Sequence, residues 1–155
     1  MHDLIGTYMR THLSLSPSDT ATLHRTYSRD YGLAIKGLVQ HHKIDPLDFN
    51  REVDDELPLD DLITPNHSLR QLLLHIDREK VKLWLFTNAH FTHGRRVVRL
   101  LGVEDLFEGI TYCDYGGEEL IAKPDLRAYE KAEREAGVKE GDDVYFVGKL
   151  AELFA

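Results

Sequence analysis

The apolar run Leu83-Trp84-Leu85-Phe86 stops at Thr87-Asn88-Ala89, and a later loop delivers Lys123 directly before Pro124-Asp125. A run that ends in a small hydroxyl residue, with a lysine at the start of a later helix, is how a parallel α/β sheet offers donors to a phosphate. The Thr87 hydroxyl can donate to a phosphoryl oxygen, and the backbone N–H groups of Asn88 and Ala89 face the same place at a helix N-terminus. Thr87 could equally cap the helix that follows, and position alone leaves the two readings level. Lys123 tips the balance toward an anion, because a cation gains nothing from the dipole at the beginning of a helix. The plain alternative for it is a surface lysine.

Other chemistries find less support. His90 and His93 have the i, i+3 spacing that can put two imidazoles on one metal, but no third ligand is at hand, so they read as helix-end histidines and no metal ligand is assigned. Cys113 has no histidine placed beside it and reads as a buried inert thiol. Neither a Gly-x-Ser-x-Gly elbow nor a glycine-rich nucleotide loop occurs. The acidic stretch Asp54-Asp55-Glu56 reads as a solvated helix end, and Arg95, Arg96 and Arg99 as the solvated face of one helix.

The elements that must position these residues fall into two stretches. To about Leu74 the chain reads as helices: Ser16 caps a helix that begins at Pro17, Asp45-Pro46 opens a short one, and Leu69, Leu72, Leu73 and Ile76 form an apolar stripe. Within Tyr31 to Val39, Gly32 and Gly37 imply close backbone approach, either to a crossing helix or to a ligand. After Lys80 the pattern changes to strand Val81–Phe86, helix His90–Leu101, strand Gly109–Tyr112, helix Leu126–Glu135 with Gly137 as its stop, and strand Val144–Val147. That alternation predicts right-handed crossovers and a parallel sheet.

With 155 residues and 17.8 kDa, one ordinary domain is expected. A formal net charge of −8 argues against a nucleic-acid surface. No apolar run approaches the roughly 20 residues of a membrane span, Met1-His2-Asp3 starts no signal peptide, and one cysteine suits a reducing compartment. A soluble protein of the cytoplasm, with the nucleus open to it, is expected; nothing in the sequence sets an oligomeric state.

The segments Tyr31–Val39, Leu83–Ala89, Leu100–Tyr115 and Lys123-Pro124 resemble the haloacid dehalogenase superfamily of phosphohydrolases, and within it the fungal pyrimidine 5′-nucleotidase branch. The resemblance implies a Rossmann-like parallel sheet core at residues 75–155, incomplete, with an N-terminal α-helical cap at residues 1–74. It implies a reaction in which an aspartate attacks phosphorus and water hydrolyses the aspartyl phosphate, with Mg²⁺ bridging the groups. Thr87 would hold a phosphoryl oxygen and Lys123 would offset the charge of nucleophile and phosphate. Asn88 and Ala89 would bind the phosphoryl group, and Gly32, Ile35, Lys36 and Gly37 of the cap would face a nucleoside monophosphate of the UMP or CMP type.

The chain departs from that pattern in two places. The first motif, a strand ending in Asp-x-Asp, should precede the cap, yet the sequence begins at Met1 already inside it. Asp45 and Asp48 are too widely spaced to replace it. The fourth, acidic motif should follow Val144–Val147, where Gly148-Lys149-Leu150 stand instead, and Asp142 and Asp143 lie at the wrong edge. Gly-Lys can be encoded by GGT AAG, which holds an intron start, so unspliced message is one expected origin for that ending. On this reading the chain lacks nucleophile and acid/base aspartates, does not bind Mg²⁺ and releases no phosphate. Two inner strand edges would also be left unpaired, and marginal stability is expected. The alternative is a catalytically silent nucleotide- or phosphate-binding protein.

Overall fold

The computed structural model describes residues 2–148. Eight α-helices and two strands are seen among them: α1 His2–Leu13, α2 Pro17–Tyr31, α3 Ala34–His42, α4 Pro46–Phe49, α5 Leu59–Leu62, α6 His67–Leu74, β1 Trp84–Phe86, α7 Phe91–Leu100, β2 Gly109–Thr111 and α8 Leu126–Ala136. A π-helical turn, Asn50–Asp54, follows α4, and a 3₁₀ turn, Glu104–Leu106, precedes β2.

Local chemistry sets most helix ends. Ser16 caps α2 by accepting from the Asp19 N–H at 3.2 Å, with Pro17 at the first helical position. α8 is capped by Asp125, which accepts from the Arg127 N–H at 3.0 Å, and ends at Gly137 in the left-handed region. The short link between α2 and α3 turns on Gly32, at φ 71°. α3 then packs on α2 so closely that a Cβ at Gly37 would overlap the ring of Tyr27. Gly37 therefore serves a tight helix crossing.

Two apolar clusters hold the chain. The first joins Ile5, Tyr8 and Met9 of α1 to Tyr27, Ile35, Leu38, Phe49 and Val53, and takes in Cys113, Tyr115, Leu120 and Ala122 from beyond β2. The second surrounds Val98, Val103 and Leu106 and recruits Leu69 and Leu73 of α6 with Leu85. The loop after β2 is thus packed into the helices, while α6 is packed against the sheet.

β1 and β2 are parallel, with Trp84 opposite Gly109, Leu85 opposite Ile110 and Phe86 opposite Thr111. The Trp84 ring occupies the space a side chain at 109 would need. Its indole N–H donates to Thr111 Oγ1 at 2.9 Å, and that hydroxyl donates to Glu135 at 2.6 Å, tying α8 to the sheet.

Four expectations are corrected here. Residues 144–147 are not a strand, since a strand exists only through backbone pairing and among the described residues they pair with neither β1 nor β2. Tyr145 and Val147 are 85% and 94% exposed. The first strand covers Trp84–Phe86 only and is half-buried. Asp54 is no solvated helix end: the π turn winds it inward to 7% exposure, near His93 and His90. Arg96 is not a free solvated face, since its guanidinium donates to the carbonyls of Asp55 and Leu57 and pairs with Asp60. Lys149 and Leu150 lie outside the described residues.

Candidate functional site

The carboxyl end of β1 and the loop before α8 meet at Lys123. Thr87 continues the β ladder, its N–H donating to the Thr111 carbonyl at 2.9 Å. Its Oγ1 accepts from the Ala89 N–H at 3.1 Å, which fixes the turn into α7. That bond uses a lone pair of the hydroxyl and leaves its proton available to an acceptor. The Ala89 N–H is consumed inside the turn, so the donors of this loop toward a ligand are the Thr87 hydroxyl and the Asn88 N–H. The capping and binding readings of Thr87 are therefore compatible.

Lys123 is half-buried. Its Nζ donates to the carbonyl of Phe86 at 2.8 Å, the residue before Thr87, and sits 4.3 Å from the centre of the Phe86 ring and 5.4 Å from that of Phe146. An ammonium has three donors, so this bond leaves others unused. Burial lowers its pKa below the usual lysine value, with no opposing effect from a neighbouring charge. Among the described residues no carboxylate lies within 4.0 Å of it. Asp125, two residues on, is committed elsewhere: Arg127 holds its carboxyl down at about 2.

The cap-side residues divide. Gly32 lies against the Lys123 carbonyl and the Pro124 ring. Lys36 stands 3.8 Å from Asp125 and, with Asp30, Tyr31, Ala122 and Pro124, lines a cleft of about 240 Å³ beside the lysine loop. Ile35 is buried among the helices and Gly37 is covered by Tyr27, so both are taken up by packing. The structure thus brings Thr87, Asn88, Lys123, Gly32 and Lys36 to one corner and leaves Ile35 and Gly37 inside the helical cluster.

Other candidates take ordinary places. Cys113 is buried and its thiol is pushed up to about 11, as an inert cysteine should be. His93 is 8% exposed on α7 rather than solvated, and its Nδ1 has no partner among the described residues. Mg²⁺ takes six oxygen ligands, of which the protein supplies one or two carboxylates and water and substrate phosphate the rest. Among the described residues no group of three or more His, Cys, Asp or Glu could hold a metal ion. No helix of the described residues is long and apolar enough to cross a membrane.

The sequence reading missed the side chain of Asn88. It accepts from the Lys123 N–H at 2.8 Å and donates to the Lys123 carbonyl at 2.9 Å. Its partner is remote in sequence, and only the paired donor and acceptor of an amide directly after Thr87 could have hinted at it.

A family model described as haloacid dehalogenase-like hydrolase matches residues 9–148. The Saccharomyces cerevisiae protein named Phosphate metabolism protein 8 is 37% identical over 155 aligned positions, covering 95% of this chain and 48% of the relative. The chain therefore spans about half the length of that curated relative. With a threonine closing β1, a lysine folded back onto the same strand end and a family match across most of its length, the chain belongs to the haloacid dehalogenase-like hydrolase family.

Proposed function

We propose that this corner is the phosphoryl-binding half of a nucleotidase site. Lys123 and Thr87 hold the phosphate of a nucleoside monophosphate of the UMP or CMP type, and Tyr31 and Lys36 along the neighbouring cleft face its nucleoside. The observation that carries this reading is the half-buried ammonium of Lys123, subject to burial with no carboxylate near it among the described residues. A buried cation is costly until it is paired, and a phosphate is the anion for which the adjoining hydroxyl and backbone donors are suited. Phosphoryl transfer asks a protein mostly for positioning and charge stabilisation, which are the two things this corner offers.

In the complete family enzyme an aspartate would attack phosphorus, the nucleoside would leave as its alcohol, and water would release inorganic phosphate, with Mg²⁺ supplying charge neutralisation. No such aspartate accompanies Lys123 among the described residues, and on this reading they bind the phosphate without cleaving it. That outcome also describes the second reading, a silent nucleotide-binding protein.

Calorimetric titration with UMP, CMP and inorganic phosphate, beside an assay of phosphate release in Mg²⁺, tests both parts. Binding of all three without release is expected. Release would overturn the inactivity, and absence of binding would overturn the site.

A further inference from the structure

We propose that the side chain of Asn88 positions Lys123 rather than contacting the phosphate, a reading that rests on the phosphate site described above. Its carboxamide makes both backbone hydrogen bonds of Lys123, at 2.8 and 2.9 Å, in the manner of a strand neighbour. Both of its polar ends are thereby used, so the side chain has its best donor directed at a protein carbonyl and not at a ligand. Lys123 lies in a loop, where no ladder would otherwise fix its backbone. Asn88 supplies that ladder from the strand end that carries Thr87, so the threonine and the lysine are held in one frame.

The same peptide is bounded from the other side by the helices. The Lys123 carbonyl and Pro124 fill the space where a side chain at Gly32 would stand. Gly32 is also the left-handed turn between α2 and α3, so the link of the two helices bears directly on the lysine. The Lys123 peptide is thus seated between Asn88 and Gly32, and a shift of either displaces the ammonium.

The test compares wild type, Asn88→Ala and Gly32→Ala by amide hydrogen exchange at Lys123 without ligand and by calorimetric affinity for inorganic phosphate. In Asn88→Ala, exchange of the Lys123 N–H is expected to speed up about 10-fold or more while Leu85 is unchanged, and phosphate affinity to fall about 10-fold. Gly32→Ala, which leaves Asn88 intact, is expected to weaken phosphate binding and loosen the Lys123 carbonyl in the same direction, and it carries the test if Asn88→Ala does not fold. Weaker affinity with unchanged exchange would mean direct contact and overturn the proposal. Faster exchange with unchanged affinity would overturn it too. If wild type itself binds no phosphate, the site reading fails, while exchange still decides whether Asn88 holds Lys123.

Discussion

Two charges in this molecule are buried in opposite ways. Asp54 sits at the end of the π turn, where burial raises its carboxyl pKa and Asp55 adds to the rise, but His93 and His90 oppose it. Tyr115 packs nearby and its own pKa is pushed up by burial and by Asp54. At Lys123 burial is opposed by no charged neighbour, only by the Phe86 carbonyl and the rings of Phe86 and Phe146. The protein has supplied titratable counter-groups for its buried anion, whereas its half-buried cation has, among the described residues, a carbonyl and two aromatic rings but no carboxylate within 4.0 Å. A structural charge is compensated from within; a charge kept for a ligand is compensated on binding. That contrast is what favours Lys123, and not the more deeply buried Asp54, in the proposed site.

The strongest way to break the contrast is Lys123→Met. Removing a charge-assisted bond to phosphate should weaken binding roughly 10- to 100-fold, while the melting temperature holds or rises because a desolvated cation is gone. Calorimetry and thermal melts check the two halves. Loss of stability without loss of affinity would make Lys123 structural.

Asp54→Asn should do the reverse, changing stability and not affinity. Burial raises the folded pKa of Asp54 above its unfolded value, so the folded state holds the proton more tightly. Its stability contribution is full below the unfolded pKa and is lost as pH rises through the folded one. Asparagine never ionises, so at pH 7 the variant should be more stable, by on the order of 1 kcal/mol, and the gain should vanish in acid. Denaturant melts at the two pH values measure it. A loss of stability at pH 7 would show that the histidines outweigh burial.

A smaller effect is expected from Phe146→Ala. The ring covers the Lys123 ammonium from 5.4 Å. Removing it should re-expose the amine, move its pKa back toward the ordinary lysine value and change phosphate affinity by no more than about 1 kcal/mol. An unaltered lysine pKa by NMR would show that Phe146 contributes nothing to its burial.

Legibility in the sequence followed the range of the interaction. Ser16-Pro17 and Gly137 were readable because a cap is made within a few residues. Thr87 and Lys123 were readable because strand and helix ends fall where the apolar pattern breaks. Val144–Val147 has every residue of a strand and is none, since pairing depends on a partner that no local pattern reveals. Asp54 looked like one of three solvated acids because the inward winding that brings it near His93 and His90 joins residues remote in sequence. The two side-chain bonds of Asn88 were not legible because they cross to a loop far along the chain.

The most direct measurement is the pKa of the Lys123 ammonium, followed by NMR with and without inorganic phosphate. The account predicts a value below that of an ordinary lysine in the free protein and a rise on saturation, as the anion restores the charge that burial disfavours. A pKa that phosphate leaves unchanged would contradict it.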